Sequence, residues 1–221
     1  CIALVALLGG AYSSTVTTVA LAKKSSADRQ RPHSYAGAIL MASGVMYLRL
    51  ALLVSLFNSS LAQELVLPFG ILAIAGVGGG WFWTSKAELA APPEQGGNAY
   101  HPTQNPLELR AAFLFAFLFV IIIIITHYTV LYLGKGGVYT LAGIMGVTDV
   151  DPFILGLTQS AGQSTPLPVA GAAIAIAAAS NNLVKGVYAM VFGARRTGRQ
   201  SFFLLLALAL LGITPLFWLA G

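Results

Sequence analysis

A faint internal repeat constrains the fold of this chain more than any other feature. In each half, a run of small and polar residues interrupts an apolar segment, and an apolar stretch with one cation follows. Gly10 and Gly146 mark the interruptions, Arg49 and Lys185 are the cations, and both pairs are 136 residues apart (146 − 10 and 185 − 49). Interrupted apolar segments at corresponding places in two halves of a membrane protein are typical of a binding site at the repeat interface.

The composition indicates a membrane protein whose first partner is the lipid bilayer. Of 221 residues, 57% are hydrophobic and only 9% are charged, which is too few charges for the surface of a soluble domain. The net charge of +5 comes from cations beside the apolar segments, so it does not indicate a nucleic-acid partner. The single cysteine, Cys1, excludes a disulfide framework and a cysteine-ligated metal cluster.

The pattern of apolar stretches predicts a polytopic all-α membrane protein, because about 20 apolar residues cross a bilayer as a helix. Two segments, Ile2–Ala22 and Gly137–Ser160, are long enough but broken in the middle. Five stretches are long enough without serious interruption: Tyr35–Phe57, Leu65–Thr84, Leu109–Leu133, Leu167–Phe192 and Phe202–Ala220.

The domain organisation follows from these spans and from one long hydrophilic connection. Residues 85–108 contain Pro92-Pro93 and Gly96-Gly97, which predict an irregular loop. We therefore expect a first transmembrane repeat over 1–84, the loop over 85–108, a linking helix over 109–136 and a second repeat over 137–221.

The basic loops predict that the second repeat is inverted relative to the first. Loops 23–31 and 195–199 carry most of the cations and should both be cytoplasmic in a bacterial inner membrane. Five apolar stretches lie between them, and five crossings would put the loops on opposite sides. The conflict disappears if 137–160 enters the membrane and returns, and the broken segment 2–22 is a candidate for the same arrangement. The alternative is seven crossings, parallel repeats and one basic loop on the wrong side.

Four ionisable residues fall within the apolar segments and predict a polar cluster there: Arg49, Asp149, Asp151 and Lys185. Each costs roughly 2.5–3.5 kcal/mol at the bilayer centre by insertion scales, so it needs a partner or a function. Asp151 precedes Pro152, which is also the pattern of an ordinary helix N-cap. Asp149 has no such role and is the preferred functional acid, with a buried salt bridge to Lys185 as the alternative. Arg49 must find an acid in the other repeat, contact a ligand or reach the membrane boundary.

Hydroxyl and amide side chains complete the candidate site. The first interruption contains Ser13, Ser14, Thr15 and Thr18, whose oxygens could bind an ion, or cap and back-bond to helix carbonyls. Asn181 and Asn182 precede Lys185 by about one helical turn, either as ligand contacts or as hydrogen bonds that hold helices together. No enzyme signature and no cofactor-binding motif is present.

Several motifs resemble those of the MgtC/SapB-related bacterial membrane proteins, and more closely the uncharacterised C-terminal domain of their larger members. The motifs are Leu8–Thr18, Asn105–Arg110, Gly146–Asp151 and Ala179–Lys185, in that order, and the resemblance covers nearly the whole chain. The resemblance implies further apolar helices upstream of Cys1. Its name suggests magnesium transport, but this domain's activity is not established in the family, and other relatives are regarded as regulators of partner membrane proteins.

Three functions are compatible with these residues. The preferred one is a transporter or channel for a small ion or polar solute, with a cation such as Mg²⁺ or H⁺ at Asp149 and Asp151. The second is a non-transporting regulator that binds another membrane protein, or a further copy of itself, through small-residue faces. The third is a carrier of an anion or organic acid that uses Arg49 and Lys185.

Overall fold

The structure is a computed structural model, and it describes residues 2–88, 109–147 and 150–214. It confirms the prediction of a polytopic all-α membrane protein. Five of the described helices are long and apolar enough to cross a membrane: α1, α2, α3 over Ser59–Ser85, α6 and α7. The described residues form seven helices: α1 (Ile2–Ala27), α2 (Pro32–Phe57), α3 (Ser59–Glu88), α4 (Leu109–Met145), α5 (Val150–Ser160), α6 (Leu167–Phe192) and α7 (Arg195–Ile213).

The helix ends agree with the predicted spans where the apolar run itself ends the helix. Helix α6 has the predicted bounds, and α2 ends at Phe57 as expected. Three helices begin before the apolar stretches that predicted them: α2 at Pro32, α3 at Ser59 and α7 at Arg195. Residues 85–88, predicted as loop, continue α3, whereas 89–108 and 215–221 lie outside the described residues. Helices extend past the apolar core because their backbone groups remain hydrogen-bonded in the interfacial region.

Helix α1 is broken at Ser13 and folds back on itself. Ser13 has extended backbone angles (φ −154°, ψ 106°) inside the helical run. A Cβ placed on Gly9 would lie 2.5 Å from Thr17 Oγ1, whereas eight residues of continuous helix rise about 12 Å. Because Gly9 and Thr17 are each four residues from Ser13, the two halves form a hairpin whose tip is at Ser13. We call residues 2–27 the first hairpin.

A second hairpin follows the first part of α4. Gly134 interrupts α4 with φ 62° and ψ −157°, a left-handed conformation that favours glycine. A Cβ on Gly137 would lie 3.0 Å from Thr129 Cγ2, a contact between residues eight apart, so the chain turns back at Gly134 and a separate helix begins there. Two short helices of 11 residues follow, residues 135–145 and α5. Each is about 16 Å long, roughly half of the thickness of the bilayer core. We call residues 135–160 the second hairpin.

The two basic loops lie at the same end of the bundle. Ser26 Oγ donates a hydrogen bond to the Phe192 carbonyl at 2.9 Å, and the Ala194 amide donates to Ser25 Oγ at 3.1 Å. We call this end the basic end. At the other end, the Asn58 side chain donates to the Thr158 and Ala161 carbonyls at 3.1 and 3.0 Å. The first hairpin therefore ends at the basic end and the second at the opposite end, as an inverted repeat requires.

Helices α2 and α6 are the long helices on which the hairpins pack, and they run in opposite directions. Helix α2 leaves the basic end, and α6 returns to it; both have 26 residues. Close packing of α2 against α3 depends on glycine, since a Cβ on Gly76 would lie 2.6 Å from Gly44 Cα. Small residues of this kind let helix backbones approach closely in a membrane. The hairpin tips pack near the middle of α2 and α6, where a Cβ on Gly10 would meet Ala42 and one on Gly146 would meet Ala177.

Candidate ion-binding site

Arg49, in the middle of α2, links the tips of the two hairpins. Its Nη2 donates to both carboxylate oxygens of Asp151, at 2.7 and 2.6 Å. Its Nη1 donates to the Tyr12 carbonyl at 3.0 Å and to the Ala11 carbonyl at 3.5 Å. One guanidinium therefore holds the end of the first half-helix of α1 and the beginning of α5. We call this arrangement the Arg49 bridge.

The local folding of each hairpin explains why these partners suit Arg49. The break at Ser13 leaves the last carbonyls of the preceding half-helix without intrahelical donors, and a helix C-terminus carries partial negative charge. Asp151 lies in the first turn of α5, at the partially positive end of that helix. Because α5 already begins at Val150, Asp151 lies inside the helix and not at the predicted N-cap position. Both helix ends are thus matched by charge of the opposite sign.

The Arg49 bridge is mostly buried but remains accessible. The side chain of Arg49 is 25% exposed and that of Asp151 is 27% exposed. Arg49 Nε is buried and has no acceptor among the residues that the structure describes. A ligand that reaches the bridge would therefore find an unused donor as well as an ion pair with which it can compete.

Lys185 is the second cation of the cluster, and its side chain is fully buried. Its Nζ lies 3.0 Å from Met46 Sδ, a weak acceptor that belongs to α2. Met46 precedes Arg49 by three residues on α2, so Lys185 contacts the same face of α2 that carries Arg49, about one helical turn away. The structure therefore brings together three of the four ionisable residues that the sequence singles out. The fourth, Asp149, lies outside the described residues, which omit 148–149.

Helix α6 holds the tip of the second hairpin through side chains that donate to backbone carbonyls. Ser180 Oγ donates to the Gly143 carbonyl at 2.7 Å, and Asn181 Nδ2 donates to the Gly146 carbonyl at 3.0 Å. A Cβ on Gly146 would overlap the Ala177 carbonyl and the Ser180 side chain, so the tip can approach α6 only with glycine there. These bonds correspond to those by which Arg49 holds the first hairpin.

Asn182 connects the two long helices directly. Its Nδ2 donates to the Tyr47 hydroxyl at 2.9 Å, a hydrogen bond of the kind that holds helices together, while a ligand contact by this amide stays a prediction. Asn181 and Asn182 each keep a buried Oδ1 that has no donor within the described part of the chain. Two neutral oxygens are thus unused on the face of α6 that carries Lys185.

The hydroxyl residues of the first hairpin form local hydrogen bonds at its tip. The Val16 amide donates to Ser13 Oγ at 3.3 Å, as at a helix N-cap, and Thr18 Oγ1 donates to the Ser14 carbonyl at 2.8 Å. Ser14 and Thr18 are buried, and Thr15 is half-buried. The structural alternative for Ser13 and Thr18 is therefore seen, and ion binding by this group of hydroxyls stays a prediction.

The described residues contain no group of three or more His, Cys, Asp or Glu side chains that could hold a metal ion. A metal site formed by Asp151 with Asp149 thus stays a prediction, and Asp151 is already paired with Arg49. Sequence reasoning missed the Tyr12 carbonyl, Met46 and Tyr47. Their one available signal was proximity along the chain, since each lies within three residues of Ser13 or Arg49.

Comparisons with known proteins give a family but no activity. A model of the family described as "Domain of unknown function (DUF4010)" matches residues 1–193. An uncharacterized protein of Aquifex aeolicus (strain VF5) is 29% identical over 210 residues, which cover 93% of this chain and 87% of that protein. No solved structure matches the chain.

Proposed function

Because the chain belongs to the DUF4010 family, whose description names no function, we propose a function from the site itself: a membrane transporter that carries a small ion or polar solute. The observation that carries the proposal is the Arg49 bridge between the tips of two oppositely oriented hairpins. In transporters built from inverted repeats, interrupted helices meet near the bilayer midplane and form the substrate site there.

The bridge suggests how ligand binding couples to movement. Arg49 holds Asp151 and the Tyr12 carbonyl at once, so a ligand that takes over either contact weakens the connection between the hairpins. A ligand shifts the equilibrium between the connected and the separated hairpins only by binding one of these two arrangements more tightly than the other. Since each hairpin ends at a different end of the bundle, release of one tip or the other would open the site towards opposite sides.

A cation or proton is the preferred ligand. It would compete with Arg49 for the Asp151 carboxylate, and Asp149 is proposed as the second acid. The unused Oδ1 atoms of Asn181 and Asn182 add neutral oxygens of the kind that hard cations accept. Mg²⁺ keeps much of its own water, so two carboxylates would suffice for it. A proton needs only Asp151, whose neutralisation would weaken its bonds to Arg49.

An anion is the second candidate, and a specific observation favours it. The described cluster contains two cations, Arg49 and Lys185, for one acid, and Arg49 Nε has no acceptor in that part of the chain. The helix that follows Ser13 and helix α5 both begin at the hairpin tips, where helix N-termini favour negative charge. An anion would then compete with Asp151 for Arg49.

The orientation of the protein in the membrane and the alternative function of a regulator are also open to test. We propose that the basic end faces the cytoplasm of a bacterial inner membrane, since Lys and Arg concentrate in cytoplasmic loops. The resemblance to MgtC/SapB-related proteins adds the alternative of a regulator that binds another membrane protein. A regulator predicts a copurifying partner and no ion flux.

The test is flux into liposomes that contain the purified protein, measured for protons, Mg²⁺ and small anions with ion-sensitive dyes. We expect Asp151→Asn to abolish cation-driven flux while Glu64→Gln, at an exposed acid of α3, leaves it unchanged. If anions are the substrate, Arg49→Gln abolishes flux and Asp151→Asn leaves anion binding intact. A folded wild-type protein with no flux for any of these ions would reject the proposed function in favour of the regulator. Flux that survives both variants would remove the Arg49 bridge from the pathway.

A further inference from the structure

A cationic cavity lies at the start of α7, at the basic end and away from the Arg49 bridge. Its volume is about 400 Å³, and its lining residues are Arg195, Arg196, Arg199, Gln200 and Phe203. The three arginines are exposed, as is Phe203, at 60%. Three guanidinium groups beside one cavity can bind a phosphate group through several charge-assisted hydrogen bonds.

The helical spacing of these residues gives the cavity a polar and an apolar end. Arg195, Arg199 and Phe203 follow one another at intervals of four residues, so they share one face of α7. Phe203 lies about 12 Å along the helix from Arg195, on the side of the apolar run. This distance corresponds to the step from a lipid headgroup to the upper part of its acyl chains, since each headgroup region adds only several ångströms to the core. The face of α7 formed by Arg195, Arg199 and Phe203 therefore fits an amphipathic ligand that lies along a membrane helix.

Two further observations concern hydrogen bonding in the cavity. The N-cap of α7 is Ala194, whose side chain cannot cap the first turn. The backbone amides of the first turn that follows Ala194, next to the arginines, are therefore donors that an anion can use. Gln200 Oε1 is buried and has no donor within the residues described. A ligand with a phosphate and a hydroxyl group would satisfy both the donors of the first turn and this acceptor.

The charge of the basic end also favours an anionic surface ligand. Loops 23–31 and 193–199 contain seven cations and one acid, Asp28. Clusters of Lys and Arg next to a membrane helix are typical binding sites for anionic lipid headgroups. Gly198 packs on the end of α6, where a Cβ would lie 2.8 Å from the Ala189 carbonyl oxygen and from Met190 Cα. A ligand held by the first turn of α7 would therefore also fix the contact between α7 and α6.

We propose that this cavity binds the headgroup of an anionic phospholipid with a free hydroxyl, such as phosphatidylglycerol. The phosphate contacts Arg195 and Arg199, the headgroup hydroxyl donates to Gln200, and an acyl chain lies along Phe203. Bound lipid stabilises the α6–α7 end of the bundle. The inference is independent of transport.

The experiment uses the full chain, purified and stripped of lipid in detergent. Native mass spectrometry measures bound phosphatidylglycerol against phosphatidylcholine, and thermal unfolding measures stabilisation by each lipid. We expect the wild-type protein to retain and be stabilised by phosphatidylglycerol. The double variant Arg195→Gln/Arg199→Gln should bind it about 30-fold more weakly, because each arginine near a membrane surface contributes about one kcal/mol. Lys135→Gln, at an exposed lysine at the opposite end of the bundle, is the control and should bind normally.

The results that would overturn the proposal are equally specific. Equal stabilisation by phosphatidylcholine, or unchanged phosphatidylglycerol binding in the double variant, would show that the cavity does not select an anionic lipid. Inorganic phosphate that stabilises the protein as well as the lipid does would instead show a site for free phosphate. If the double variant does not fold, the single variants Arg195→Gln and Arg199→Gln give the same decision, each with an expected loss of about fivefold.

Discussion

Removal of the Asp151 charge should destabilise the protein measurably, because Asp151 and Arg49 form a two-bond contact that is three-quarters buried. Hydrogen bonds to charged groups contribute about 1.5–3 kcal/mol, and loss of one partner of a fully buried ion pair costs about 3–5 kcal/mol. For this partly accessible pair we expect Asp151→Asn to cost about 2–3 kcal/mol of unfolding free energy. Arg49 would keep its bond to the Tyr12 carbonyl in this variant.

Arg49→Gln should cost more, about 3–4 kcal/mol, because it leaves Asp151 without its guanidinium partner and also removes the donor to the Tyr12 carbonyl. The double variant should cost about as much as Arg49→Gln alone. The coupling free energy between the two positions is therefore expected to equal the cost of Asp151→Asn alone, about 2–3 kcal/mol, which lies within the range for residues in direct contact.

The assay is equilibrium unfolding in mixed micelles with an increasing fraction of SDS, followed by tryptophan fluorescence, for the wild type, both single variants and the double variant. A cycle of Arg49→Gln with Glu64→Gln is the control, and its coupling should be close to zero because Glu64 is an exposed acid of α3. A coupling below about 0.5 kcal/mol for Arg49 and Asp151, or a larger cost for Asp151→Asn than for Arg49→Gln, would refute the reasoning.

Two further substitutions test how the first hairpin and α6 are held. Gly10→Leu should cost about 2–3 kcal/mol in the same unfolding assay, because a Cβ there would lie 2.8 Å from Ala42 Cα. The control is Gly70→Leu, which has open space around it and should cost nothing. Equal effects of the two substitutions would mean that the first hairpin does not pack on α2 at Gly10. Asn182→Ala should cost about 1 kcal/mol through loss of the hydrogen bond to Tyr47, and Tyr47→Phe should add little to it. Fully additive costs would contradict that contact.

The arrangement of spans could be predicted because it depends on features that are local in the sequence. Apolar length gave the bounds of α6, and the small residues around Ser13 and Gly146 indicated where the hairpins break. The starts of α3 and α7 could not be predicted in the same way. Polar residues such as Arg195 continue the helix into the interfacial region, where hydropathy no longer distinguishes helix from loop.

The charged members of the candidate site could be predicted because ionisable residues are rare within the apolar segments. With so few available, an acid of the other repeat was one of the three roles open to Arg49, and the structure shows it paired with Asp151. The Tyr12 carbonyl could not be predicted, because every residue has a carbonyl and only the break at Ser13 makes this one available. The contact between Lys185 and Met46 could not be predicted either, because it depends on how α2 packs beside α6, and the types of the two residues do not reveal that packing.

Cysteine labelling in closed vesicles shows whether the two hairpins enter the bundle from opposite ends, the arrangement on which the shared site depends. In a Cys1→Ser background, single cysteines are introduced by Arg29→Cys after the first hairpin, Gln163→Cys after the second, and Arg196→Cys in the second basic loop. A membrane-impermeant thiol reagent should label the positions of Arg29 and Arg196 from one side and that of Gln163 only from the other. Labelling of Arg29→Cys and Arg196→Cys from opposite sides would contradict the inverted arrangement and the shared site that depends on it.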